Sequence, residues 1–232
     1  MKRIGILGGV GPEATLELYR EILRATPASS DQDHLPCIII INPQVPDRTE
    51  AILGKGPSPV PELTKTSVEL ERAGADFIVM PCNTAHFCLP EMRAAVGIPV
   101  LDMIGLTLEQ TKTSFPDGSK IGLLATTGTI ESGIYHKLFE PAGYELVTPS
   151  RESQEAKVMA AIYGEDGIKA GGYKRPRELL EIAAGELNVA GARAVILGCT
   201  EIPIVIKEIA AGIPTINPLA LLAREAVRKA TE

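Results

Sequence analysis

This chain of 232 residues carries its own plan twice. A half-length shift lays Ile4-Gly5 on Ile121-Gly122 and Gly11 on Gly128. It then lays Gly54, Pro59, Leu63, Glu69, Leu70, Ala73, Gly74, Ala75 and Cys82 on Gly171, Pro176, Leu180, Glu186, Leu187, Ala190, Gly191, Ala192 and Cys199. Those are nine identities in 29 positions, where ordinary residue usage gives about two by chance. Two residues fewer in the second copy bring Ile98-Pro99 onto Ile213-Pro214. The chain reads as a duplication, and its most informative aligned pair is two cysteines.

Each copy alternates strand and helix signals. Residues 4–7 and 120–124 are short apolar runs ending in small residues or glycine, as buried parallel strands do. Helices are expected at Pro12–Ala25 and over 130–139, and another buried strand at 38–41. Leu180, Ala183, Ala184 and Leu187 recur at helical spacing, Leu63 and Leu70 hold the matching places, and both helices run into Ala-Gly-Ala, a glycine stop. The next strands, 77–80 and 194–197, deliver Cys82 and Cys199 just past their carboxyl ends. In open α/β sheets ligands bind there. The expected fold is α/β: two similar doubly wound, Rossmann-like lobes related by internal duplication, with the active site in the cleft between them.

Composition narrows the function classes. A net charge of −6 and 4% aromatic residues, with no tryptophan, argue against a nucleic-acid surface, which needs basic stripes and stacking rings. No apolar run approaches the roughly 20 residues of a membrane span. The opening Met1-Lys2-Arg3-Ile4-Gly5 reads as a strand rather than an export signal. Cys37, Cys82, Cys88 and Cys199 are therefore expected as reduced thiols in the cytoplasm.

Pro81-Cys82-Asn83-Thr84-Ala85-His86 and Gly198-Cys199-Thr200-Glu201 each set a cysteine on a strand-to-helix turn. A helix start favours thiolate, and the neighbouring hydroxyls, amide and backbone N–H groups make a carboxylate cradle. If a pseudo-twofold axis relates the lobes, the thiols face each other. One thiolate then removes a proton from carbon while the other thiol protonates the opposite face. Duplication raises this pair above the usual reading of a lone cysteine as a small buried hydrophobe. Cys37 and Cys88 have no cysteine counterpart and read as packing; only Cys82 and Cys199 are expected to alkylate rapidly.

Other residues suit a dicarboxylate. Arg48, in a proline-braced loop, could grip a carboxylate with its planar fork or merely form a surface ion pair. The shift puts Glu165 opposite Arg48, with Lys169 four residues on, so each copy carries a cation ahead of Gly54 or Gly171. Thr126-Thr127-Gly128-Thr129 offers hydroxyls as ligands or caps. Gly9-Val10-Gly11-Pro12-Glu13-Ala14 formally matches a dinucleotide fingerprint, but Asn42-Pro43 stands where its acidic residue belongs. The loop reads as a backbone approach to a small anion or as a plain turn. His86, four residues past Cys82, could tune that thiol. His34, His86 and His136 show no metal spacing, so the expected chemistry has no metal and no cofactor.

The two cysteine motifs, Gly8-Gly9-Val10-Gly11-Pro12 and Asn42-Pro43 through Asp47-Arg48-Thr49 together resemble the aspartate racemase branch of the aspartate/glutamate racemase family, over essentially the whole chain. The resemblance implies a racemase independent of pyridoxal phosphate, with Cys82 and Cys199 as its two bases, a dicarboxylic amino acid as substrate and a homodimeric assembly. It implies Asn83, Thr84, Thr127 and Thr200 at the α-carboxylate and amino group, and Arg48 with Lys169 at the side-chain carboxylate. It also implies that the last helix returns to the first lobe, dividing the chain into 1–101 with 215–232, and 102–214. Glutamate racemases carry histidine where Glu201 stands, which points to aspartate. Isomerisation of a dicarboxylate such as maleate, decarboxylation of a malonate, a broad-specificity racemase and a non-catalytic carboxylate-binding protein remain the rival readings.

Overall fold

In the computed structural model, which describes residues 1–206, 209 and 212–232, seven strands build two all-parallel sheets. The first has the order β2-β1-β3, with β1 at Ile4–Gly8, β2 at Cys37–Ile41 and β3 at Phe77–Val79. The second has the order β5-β4-β6-β7, with β4 at Lys120–Ala125, β5 at Glu145–Val147, β6 at Ala194–Gly198 and β7 at Thr215–Ile216. The fold is α/β, two similar parallel-sheet units with helical crossovers.

The duplication is visible in the register. Ile4, Gly5 and Ile6 pair with Phe77, Ile78 and Val79; their counterparts Ile121, Gly122 and Leu123 pair with Ala194, Val195 and Ile196. A single parallel bridge, Ile78 to Val100, stands where Val195 pairs with Thr215. The helices leading into β3 and β6, Val60–Arg72 and Lys174–Val189, bury Leu63 and Leu70 in one copy and Leu180 and Leu187 in the other. Each such leucine contributes about 1.5–3 kcal/mol by leaving water. Both helices stop at the expected glycine, with φ of 91° at Gly74 and 93° at Gly191, where any side chain would be strained.

Three expectations need correcting. Ile4 pairs with Cys37, but Ile121 pairs with Leu146 and not with Gln154 as an unbroken shift requires. The copies therefore differ in length before their second strand, and the shift that lays Glu165 opposite Arg48 is broken upstream of them. The strand over 38–41 is not buried throughout: β2 is an edge, and Ile39 and Ile41 are exposed. The helix expected over 130–139 is two pieces, Thr127–Ser132 and His136–Phe139, parted by Gly133 in the left-handed conformation.

By contacts the chain forms two compact units, Met1–Met103 with Leu219–Glu232, and Ile104–Pro218. Thr215–Ile216 thus belongs to the second unit, not the first, because it is a strand of the β6 edge. Met103 stays with the first, its N–H held by His86. Among the described residues no helix is long and apolar enough to cross a membrane.

Candidate active site

In the first unit, Met80-Pro81 carries the chain from β3 to Cys82, and the Cys82 N–H returns to the Met80 carbonyl at 2.9 Å. A 3-10 segment, Thr84–Cys88, follows, and a true helix begins only at Leu89. Cys82, Asn83, Thr84 and His86 are all buried. The His86 ring does not turn to the thiol. Its Nδ1 donates to the Cys82 carbonyl at 2.7 Å, and its Nε2 accepts from the Met103 N–H at 3.2 Å. That pattern sets a neutral tautomer, and burial pushes the ring's pKa down. The imidazole braces the turn from behind.

Arg48 begins the helix Arg48–Ile52, which Asp47 caps by accepting from the Glu50 N–H at 2.9 Å. That helix packs on the 3-10 segment after Cys82. Arg48 is only 8% exposed, so it does not stand on the surface. Its Nη1 donates to the carbonyls of Val45 and Pro46 at 3.3 and 3.1 Å. The guanidinium is held in place by its own loop beside the Cys82 turn.

The glycine loop after β1 packs closely against the chain just past β2. A side-chain carbon at Gly9 would sit 2.4 Å from the Asn42 backbone, and the Gly9 N–H is taken by the Thr15 hydroxyl at 3.1 Å.

In the second unit, Cys199 follows β6 directly, and its Sγ donates to Glu201 Oε2 at 3.0 Å. The other carboxylate oxygen receives Lys169 Nζ at 2.6 Å, and the Thr200 hydroxyl donates to Oε2 at 3.4 Å. Lys169 comes from the 3-10 turn Ile168–Ala170, which packs on the helix Ile202–Val205, and its ammonium lies 5.4 Å from the centre of the Tyr163 ring. Burial, and then the Glu201 charge and hydrogen bond, push the Cys199 thiol well above its ordinary range. Burial works against the Glu201 carboxylate as well, but the Lys169 ammonium and the Cys199 bond hold its pKa below the usual value. The expected thiolate at Cys199 is therefore a thiol. Only four helical residues follow it, too few for a helix dipole to offset burial beside a carboxylate.

Thr127 lies past the end of β4, whose last residue, Ala125, pairs with Gly198 just before Cys199. The neighbouring Thr126 is a cap, accepting from the Thr129 N–H at 3.2 Å. The Thr127 hydroxyl donates to Glu155 Oε1 at 2.8 Å, and its N–H points to Met159 Sδ at 3.3 Å. Glu155 and Met159 belong to a wide π turn, Gln154–Met159, that sequence reasoning missed; no periodicity marks one wide turn. Cys37 and Cys88 behave as packing thiols: burial raises them to about 11 and about 12.

A profile of the family described as Asp/Glu/Hydantoin racemase matches residues 7–226. The aspartate racemase of Picrophilus torridus has a similar structure, with a TM-score of 0.87 and 31% identity over 100% of this chain and 95% of that one. The broad specificity amino-acid racemase RacX of Bacillus subtilis is 29% identical over 97% of this chain and 96% of its own length. A glutamate racemase of Corynebacterium diphtheriae is 31% identical over 71% of this chain and 63% of its own.

Proposed function

The chain belongs to the Asp/Glu/hydantoin racemase family, and from that premise we propose that it interconverts L- and D-aspartate by two-base proton transfer between Cys82 and Cys199. The observation that carries this reading is the Cys199 thiol held on the Glu201 carboxylate, with a second cysteine at the matching strand end of the other copy. A buried thiol with a raised pKa is suited to give a proton to carbon; its partner must then be the base.

From D-aspartate, the Cys82 thiolate removes the α-proton and Cys199 delivers its own to the other face, leaving L-aspartate, a Cys82 thiol and a Cys199 thiolate. The reverse reaction uses the same two sulfurs in exchanged roles. Asn83, Thr84, Thr127 and Thr200 serve the α-carboxylate and amino group, where hydrogen bonds stabilise the charge that develops as the α-proton leaves. Arg48 and Lys169 serve the side-chain carboxylate. Lys169 reaches that carboxylate by leaving Glu201. Thiol proton transfer of this kind needs neither a metal nor pyridoxal phosphate.

A second reading, a racemase of wide amino-acid range, is favoured by the full-length similarity to RacX. Incubating the protein, after chelator and hydroxylamine treatment, with each L-amino acid and separating the products on a chiral column distinguishes them. D-aspartate as the dominant product supports the proposal. Comparable turnover of many amino acids supports the wider range, and no D-product at all overturns both.

A further inference from the structure

We propose that Gln154 is a substrate-binding residue whose side-chain oxygen receives the α-ammonium of the amino acid; this rests on the racemase reading above. Gln154 opens the π turn Gln154–Met159 and is 5% exposed. Its Nε2 donates to the Ala125 carbonyl at 2.9 Å and lies 3.4 Å from the Thr127 hydroxyl. The first contact sets the orientation of the amide, since the flipped form would bring two oxygens together. Oε1 is therefore an acceptor, and it is buried with no hydrogen-bond partner among the described residues. Buried acceptors are costly to leave unmade, and one standing open among the described residues calls for a further donor.

The position identifies the donor. Ala125 is the last residue of β4 and pairs with Gly198, directly before Cys199. The open oxygen thus stands at the carboxyl end of the sheet, where the proposed acid–base thiol is mounted. An amino acid with two carboxylates offers acceptors at both ends and one strong donor, its ammonium. A carboxylate would be repelled by Oε1; the ammonium is attracted. The wide turn adds a second observation, because it brings three side chains onto one short segment. Gln154 takes the Ala125 carbonyl, Glu155 takes the Thr127 hydroxyl and Met159 takes the Thr127 N–H. Such π turns are often found at functional sites.

Succinate has the two carboxylates of aspartate and no ammonium, so the pair isolates this contact. Affinities for L-aspartate and succinate are to be measured by calorimetry on the wild type, Gln154→Met and Gln154→Glu, with wild-type racemisation followed alongside. Gln154→Met should weaken L-aspartate roughly 10- to 100-fold and leave succinate within about threefold. Gln154→Glu, which keeps an acceptor and repels a dianion, should hold or widen the preference for aspartate. Equal weakening of both ligands in Gln154→Met would overturn the proposal by reducing the side chain to a brace for Ala125. Unchanged binding of both would overturn it by assigning the oxygen to water. If Gln154→Met does not fold, Gln154→Glu decides: a preference below that of the wild type overturns the proposal. A wild type that racemises a different amino acid moves the test to that amino acid and its deamino counterpart. One that racemises none overturns the racemase reading itself.

Discussion

The turns at Cys82 and Cys199 hold the same place in two copies of one plan and are wired in opposite ways. At Cys199 the side chains meet the sulfur: a carboxylate accepts from it, and a lysine steadies that carboxylate. At Cys82 the nearest titratable ring meets only backbone, the Cys82 carbonyl on one nitrogen and the Met103 N–H on the other. Thr84 stands at the place of Glu201. The copies thus share what puts a thiol at a strand end, namely a buried parallel strand fed by a helix with a glycine stop. They differ in what sets its proton. The proposed reaction starts with one sulfur as thiol and the other as thiolate, and the divergent neighbours of a duplicated backbone give the two sulfurs different surroundings.

The largest expected effect comes from removing either sulfur. Cys82→Ser and Cys199→Ser should each lower racemisation by roughly 10²–10⁴-fold or more, because a serine hydroxyl is far too weak an acid to replace a thiol near neutral pH. Near-native rates in either variant would break the pairing of the two turns. Arg48→Ala comes next. Losing a charge-assisted carboxylate contact should cut kcat/KM on aspartate about 10- to 100-fold, and Arg48→Lys should also be impaired, since an ammonium cannot reproduce the fork. Aspartate kinetics like those of the wild type in Arg48→Ala would remove this residue from the site.

Glu201→Gln tests the asymmetry itself and should produce two opposite changes. Without the neighbouring negative charge the Cys199 thiol titrates lower, so iodoacetamide should modify it faster than in the wild type, where Cys199 should be as sluggish as Cys37 and Cys88. Racemisation should nevertheless slow about tenfold per unit of pKa by which the acid and base become mismatched. The two enantiomers have equal free energy, so kcat/KM must fall equally in both directions; only kcat and KM separately can reveal a preference. Faster alkylation together with faster racemisation would contradict the proposed role of Glu201.

The smallest effect concerns His86 and stability. Its folded pKa lies below the ordinary histidine value of about 6.5 because the ring is buried, so the unfolded chain binds its proton more readily. The contribution of the neutral ring is complete above about pH 6.5 and shrinks as pH falls below it. Thermal midpoints should therefore decline from pH 7 to pH 5 more steeply in the wild type than in His86→Gln. Parallel declines would show that the ring is not a buried neutral brace.

Much of the architecture was legible because it is carried by short-range pattern. Leu180, Ala183, Ala184 and Leu187 announce one helical face, and Ala-Gly-Ala announces its end, so the strand that follows and the cysteine beyond it are placed by counting. The helix over 130–139 failed at a single residue, Gly133, whose left-handed backbone ends the first piece. The state of Cys199 is not legible locally: the sequence shows a helix start, which favours thiolate, but not the burial that favours thiol. The partner that fixes it, Lys169, lies thirty-two residues from Glu201 in a different turn, beyond the reach of local pattern. The Gln154 turn was hidden for a related reason: its contacts with Ala125 and Thr127 are tertiary.

The central claim, that the two sulfurs act as acid and base on opposite faces of one carbon, is tested most directly in deuterium oxide. The resting thiol then carries solvent deuterium. Product formed early from either enantiomer of aspartate should be deuterated at the α-carbon while the recovered substrate keeps its protium. Cys82→Ser should exchange the α-proton of L-aspartate slowly through Cys199, without inversion. Early product that retains the original proton, or a Cys82→Ser protein that exchanges only D-aspartate, would contradict the assignment of Cys199 and Cys82 to their faces.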